Sequence, residues 1–174
     1  MRKDPAPATR RGNGAIGVDL NYGFLAVGEV DRFGNPLGEF LIPVPMRDRS
    51  TDQINAALGE ALKQVMQLAV STNKPVAMES LDFEKKKRSL GEKGGRYSRM
   101  LSGLVYGKHQ KMAEPAAGRA AVELIRVDPF ATSAAGQAKV MGRYGLSPHG
   151  AAACVIARRG LLASTWRVLL SVTP

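Results

Sequence analysis

A single cysteine, Cys154, stands in a chain of 174 residues. One thiol closes no internal disulfide, and no Cys/His cluster has the spacing of a structural zinc site, so no zinc is expected. Cysteine usage of this kind suits a reducing compartment, and a cytoplasmic location is the expectation. No apolar run has the length needed to span a bilayer, and the charged N-terminus is not followed by the apolar stretch of a signal peptide. Aromatic residues make up 6% of the chain and there are only two histidines, which leaves few groups for stacking or for imidazole chemistry. Acidic residues are scarce as well: 15 Asp and Glu face 25 Lys and Arg, a formal net charge of +10 with a pI near 10.1. An excess of that size favours a polyanionic partner, either nucleic acid or an anionic membrane surface.

What the chain does have is an ordinary globular share of apolar residues, 44%, at a length suited to one domain with a real core. Residues 1–13, "MRKDPAPATRRGN", are rich in Pro and Arg and read as a basic tail. Residues 14–163 carry the folded unit, and 164–174 remain unassigned.

"GAIGVDLNYGFLAVGEVDRFGNPLGEFLIPVP" alternates short apolar, β-branched runs with turn residues. It reads as three strands, roughly 14–20, 23–31 and 37–44, the last two joined by a hairpin. "STDQINAALGEALKQVMQLAVSTN" offers Ser50, Thr51 and Asp52 as caps and sets Ile54, Leu58, Leu62, Val65, Met66 and Ala69 at helical spacing. Pro75 stops that helix. "PVAMESL" is a short buried strand, residues 97–117 a helix with Pro115 as a point of distortion, and 121–129 another strand. "TSAAGQAKVMGRYGLS" reads as helical or irregular. The last helix, 147–164, has Ser147 as N-cap and Pro148 at its first position. The order βββαβαβα predicts an α/β fold: a mixed five-stranded sheet, order 3-2-1-4-5, flanked by helices. That layout is ribonuclease H-like, and it is also compatible with half of an actin-like ATPase, which would need a second lobe of comparable size.

Two acids sit where acids are costly. Asp19 ends the first strand after an apolar run, and Glu79 ends the fourth. A carboxylate at the end of a buried strand is unfavourable unless it is paired, caps a turn or binds a cation. In the predicted strand order the two strands are parallel neighbours, so Asp19 and Glu79 converge at one edge. Paired carboxylates suit a hard divalent ion, Mg2+ or Mn2+. His149, at the start of the last helix, is the candidate third ligand. The other histidine, His109, is expected at the surface or on a phosphate.

Immediately after Glu79 the charge turns positive. Residues 84–111 hold Lys85, Lys86, Lys87, Arg88, Lys93, Arg96, Arg99, Lys108 and Lys111 against two glutamates, which is most of the net charge of the chain. A solvated charged face is the plain reading; a phosphate-binding surface beside a metal site is the functional one. Tyr97, Tyr106 and Tyr144 are weaker candidates, for stacking on bases or for packing.

"GVDLNYGFLAVGEVDRFGNPL", "VAMESLDFEKKKRSLG", "RYSRMLSGLVYGK" and "VDPFATSAAGQAKVMGRYGLSPHGAAACVIARRG", in this order, resemble the RuvC-like nuclease domain of the TnpB (OrfB) transposon-associated proteins, in the branch of TnpB-related accessory proteins of insertion sequences. The resemblance spans residues 14–162. It implies a magnesium-dependent DNA endonuclease, guided by RNA in the full-length protein, in which two metal ions serve the cleavage. It also implies that Asp19 and Glu79 are the catalytic Asp and Glu. His149 stands where the family has its last Asp, before an "NAA" motif that is "GAAA" here. Two further departures are the lack of the family's CxxC...CxxC zinc ribbon and the absence of its long N-terminal half, which holds the guide and reads DNA. A nucleic-acid-binding module without catalysis is therefore the alternative expectation.

Overall fold

The computed structural model describes residues 9–80, 96–128 and 134–162, of which 96–106 and 134–137 are described by their backbone. Lys85, Lys86, Lys87, Arg88 and Lys93 lie outside the described residues.

Three antiparallel strands come first: β1 (Ala15–Asn21), β2 (Phe24–Val30) and β3 (Pro36–Pro43). β1 and β2 turn through Tyr22 and Gly23, where φ is +90°, a value that glycine adopts without strain. Helix α1 (Thr51–Thr72) follows, then β4 (Val76–Glu79), α2 (Arg96–Ala120), β5 (Leu124–Val127), α3 (Ala134–Tyr144) and α4 (Pro148–Leu162). The sheet order is β3-β2-β1-β4-β5, with β1, β4 and β5 parallel. This is the expected mixed sheet, and the segment 134–144, expected as helical or irregular, is a helix.

α1 starts with a reciprocal cap: the Gln53 N–H donates to Ser50 Oγ and the Ser50 N–H donates to Gln53 Oε1, which satisfies two otherwise orphaned donors. It ends on Asn73 in the left-handed region. Its buried residues Ile54, Leu58, Ala61, Leu62, Val65, Met66 and Ala69 recur every three or four positions and meet Ile16, Val18, Leu25 and Val27 of the sheet. α2 runs through Pro115 and packs Ala113 and Ala117 into the same core.

The opposite face of the sheet carries α4, and it is built from small residues. Gly17 and Gly28 are cross-strand partners. A Cβ on Gly17 would lie 1.8 Å from the carbonyl oxygen of Ala153, and one on Gly28 would lie 2.7 Å from the Cys154 nitrogen. The helix therefore rests on the strand backbone itself, and the paired glycines are what admit it.

Residues 9–13, read from the sequence as the end of a tail, are tied to the folded unit. The Arg11 Nη2–H donates to Glu123 Oε1 at 2.7 Å, the Glu123 N–H donates to Thr9 Oγ1, and the Arg10 N–H donates to the Asn73 carbonyl. Lys74, only 6% exposed, pairs with Glu29, as a charge buried that deeply must.

Candidate active site at the ends of the parallel strands

Val18 faces Met78 across the β1–β4 ladder, and each is followed by an acid. Asp19 and Glu79 thus stand side by side in register at the C-terminal ends of parallel neighbours. Strand alternation decides which way they face. Ile16, Val18, Leu20, Val76 and Met78 belong to the core beneath α1, so Asp19, Asn21 and Glu79 lie on the α4 side, as does Ala77, which packs on Ile156. Both acids are half-buried.

Asn21, two residues beyond Asp19 on the same face, orients it. Its Nδ2 donates to Asp19 Oδ2 at 3.0 Å and to the Asp19 main-chain oxygen at 3.2 Å. Asn21 is a site residue beyond those expected from the sequence, and its signal is the i, i+2 spacing in "DLN". Asp128 follows β5 at the same end of the sheet, and its main-chain oxygen accepts from Arg159 Nη1 at 2.9 Å.

Helix α4 arrives at this end through a clamp on its first turn. Ser147 caps it, its Oγ accepting from the Gly150 N–H at 3.1 Å. Glu39 of β3 then grips the cap: its carboxylate accepts from the Ser147 N–H at 2.8 Å and from the Ser147 Oγ–H at 2.7 Å. A carboxylate against a helix N-terminus is favoured by the free N–H groups and the helix dipole. Gly150 is what gives Glu39 room, since a Cβ there would fall 1.2 Å from Glu39 Oε2. Glu39 carried no sequence signal, because its partner is 108 positions away.

His149 follows from that clamp. Its ring stands edge-on to Phe24, with centroids 5.0 Å apart and planes at 82°. Phe24 is the cross-strand partner of Asn21, so His149 belongs to the same end and face as Asp19. The side chain is exposed. The structure brings Asp19, Glu79 and His149 to one end and one face of the sheet, but among the described residues no three His, Cys, Asp or Glu side chains are grouped to hold a metal ion. In kind, the acids fit a hard divalent cation; in number, the described residues supply a carboxylate pair.

The basic stretch divides. Arg96 and Arg99 fall in the first turn of α2, Lys108 is half-buried further along it and Lys111 is exposed. His109, expected at the surface or on a phosphate, is instead buried at 3% exposure. The reason is helical: it lies four and eight positions before Ala113 and Ala117, on the stripe that α2 turns to the core. Cys154 is buried beside Gly28, and burial first, then the charge of Glu39, push its thiol up to about 11. It stays protonated at neutral pH, so it has no thiolate to offer as a nucleophile.

No protein-family model matches the chain, and no curated protein matches it. Solved structures do. RuvC of Thermus thermophilus is 18% identical, with a TM-score of 0.56, over 83% of this chain and 90% of that one. The T. thermophilus RuvC solved in complex with a Holliday junction substrate is likewise 18% identical, with a TM-score of 0.57, over 84% of this chain and 96% of that one. The fold is that of RuvC. It is a ribonuclease H-like mixed sheet of order 3-2-1-4-5, which rules out reading this sheet as an isolated oddity and leaves its chemistry to be argued from the residues.

Proposed function

We propose that the chain is a RuvC-type nuclease domain that cleaves DNA phosphodiesters, with Asp19 and Glu79 as its catalytic carboxylates. The observation that carries this reading is their convergence. They are sixty positions apart in the chain, yet end adjacent parallel strands one residue past the Val18–Met78 pair. Oxygen ligands paired in this way suit a hard divalent cation held between them. Mg2+ or Mn2+ held by this pair would supply Lewis-acid polarisation of a phosphoryl oxygen and an activated water.

The chain's own residues do the rest. Asn21 fixes the orientation of the Asp19 carboxylate. Phe24 and the Glu39–Ser147 clamp hold the His149 imidazole at the same edge, exposed to solvent and placed to contact a phosphate or to move a proton there. The cations of residues 85–93 come soon after Glu79 in the chain and Lys111 lies on α2, and they serve to bind the phosphate backbone. DNA as partner draws support from the RuvC relative bound to a Holliday junction substrate. Assignment to a transposon-encoded, TnpB-like protein that works with a guide RNA rests on the four sequence motifs, and a cytoplasmic location rests on the single cysteine.

The test is metal titration with labelled DNA, wild type beside Asp19→Ala. Cleavage that needs Mg2+ or Mn2+ should fall about a thousandfold or more in the variant, while binding is retained. Equal loss of binding would remove Asp19 from the chemistry. Salt-sensitive binding with no cleavage at any metal concentration would establish a nucleic-acid-binding module instead, a second reading favoured by His149 standing where the resembled family has its last Asp.

A further inference from the structure

The end of the sheet away from Asp19 holds a cluster that the proposed chemistry does not use. Val30 pairs with Ala15 at the start of β1, and beyond it residues 31–35 turn the chain into β3. Asp31 shapes that turn: Oδ1 accepts the N–H of Phe33 at 2.8 Å and of Asn35 at 2.9 Å, and Oδ2 accepts from Asn35 Nδ2 at 3.1 Å. These bonds, those from Asn35 first, hold its carboxyl below the usual value. The one acid of the turn is therefore committed to the loop.

Cations from three elements gather on it. Arg32 lies over the Phe33 ring, 4.7 Å from its centroid. Arg143 of α3 lies over the Tyr144 ring at 5.6 Å, and the Tyr144 hydroxyl donates to Asn35 Oδ1 at 3.0 Å, which fastens α3 to the turn. Arg158 of α4 runs along Gly34, where a Cβ would come within 3.0 Å of its Cγ and 3.1 Å of its Nε. Arg32, Arg143 and Arg158 are exposed, and none forms an ion pair among the described residues. Lys139, also exposed, is one helical turn before Arg143. Phe33 is 72% exposed.

Like charges gathered without partners weaken a fold rather than stabilise it. The arrangement does match a ligand: planar guanidinium groups take phosphate oxygens in pairs, and an exposed aromatic ring stacks on a base. We propose that Arg32, Arg143 and Arg158 grip the phosphate backbone of a DNA strand at this end of the sheet, with Phe33 stacking on an unpaired base. Ala15 and Asp19 are about 13 Å apart at ~3.3 Å per strand residue. A strand running from Asp19 to the cluster therefore spans at least about four nucleotides at ~3.4 Å each. The cluster would hold the DNA flanking the cleavage point. This rests on the nucleic-acid partner of the proposed function and not on catalysis.

The test is equilibrium binding of the whole chain to fluorescent single-stranded DNA in EDTA, across a salt series. Replacing Arg32, Arg143 and Arg158 together by Gln should flatten the log–log salt slope by about 2, at ~0.7 per lost phosphate contact, and weaken binding at least about tenfold. Replacing the three by Lys should restore most of the slope, whereas a fold defect would persist. Phe33→Ala should cost about fivefold in affinity with the slope unchanged. An unchanged slope and affinity in a Gln triple that melts like wild type overturns the proposal. If that triple melts early, unchanged binding by both Arg32→Gln and Phe33→Ala overturns it equally, since both side chains are exposed. Binding to phosphatidylserine vesicles with none to DNA would overturn it in favour of a membrane surface. Cleavage of DNA with an unchanged salt slope would sink the cluster alone, and a slope that flattens in a protein that never cleaves would sink the nuclease alone.

Discussion

On one face of the sheet Ile16, Val18, Leu25 and Val27 meet Leu58, Leu62 and Val65 of α1; on the other, Gly17, Gly28 and Ala77 meet Ala153, Cys154, Ala157 and Gly160 of α4. The first contact is thick and aliphatic, and it stabilises by removing side-chain surface from water. The second is thin, and it works by bringing helix backbone onto strand backbone. A thick interface tolerates a change of shape if volume is kept. A thin one has no side chain to move aside. The thin face is also the one that carries Asp19, Glu79 and His149, so positional accuracy is concentrated where the proposed chemistry needs it and bulk stability is supplied from behind.

Gly17→Ala should break the thin face. Its Cβ would be driven to 1.8 Å from the Ala153 oxygen, so α4 must lift, at a cost above ~3 kcal/mol. Urea unfolding would read that loss, and a variant as stable as wild type would show that α4 does not rest on this strand. Leu62→Ala tests the thick face. The side chain is 1% exposed, and its truncation should cost ~3 kcal/mol while activity per folded molecule persists, because α4 stays in place. Unfolding curves beside activity at low temperature separate the two variants.

A smaller effect is expected at the start of α4. Ser147→Ala removes the cap and one of the two hydrogen bonds to Glu39, for about 1 kcal/mol. If the clamp positions His149, activity should drop by more than this stability loss accounts for. At neutral pH the smallest effect is at Cys154, and it grows only in alkali. Its folded pKa of about 11 lies above the ordinary 9.0, so the unfolded chain ionises first. The contribution is whole below pH 9 and is lost as pH rises from 9 to 11. Denaturation across that range should show a falling limb that Cys154→Ala flattens, and the native thiol should resist alkylation near pH 8.

The strands and α1 were legible in the sequence because their signals are local. Alternation marked β1 to β3, the Ser50 cap and the three-and-four spacing marked α1, and Pro75 marked its end. Asp19 and Glu79 were legible as acids at the ends of apolar runs. His109 was misplaced, because two polar neighbours in "KHQK" suggested a surface while the helix turned that one position to the core. Asn21 went unread beside Asp19. Glu39 had no local mark at all, lying in an edge strand whose other residues are largely exposed.

By itself, then, the sequence determined the order and type of elements, the caps and breaks between them, and which acids were out of place. These depend on interactions within a few residues, on backbone conformation and on helical or strand periodicity. The tertiary structure alone decided that Gly17 would face Gly28 and admit α4, that Glu39 would clamp Ser147 across the sheet, and that Arg32, Arg143 and Arg158 would meet on one turn. Those pairings join residues far apart in the chain. Strand register and the packing of α4 on the sheet create them, and neither leaves a trace in any short window of sequence.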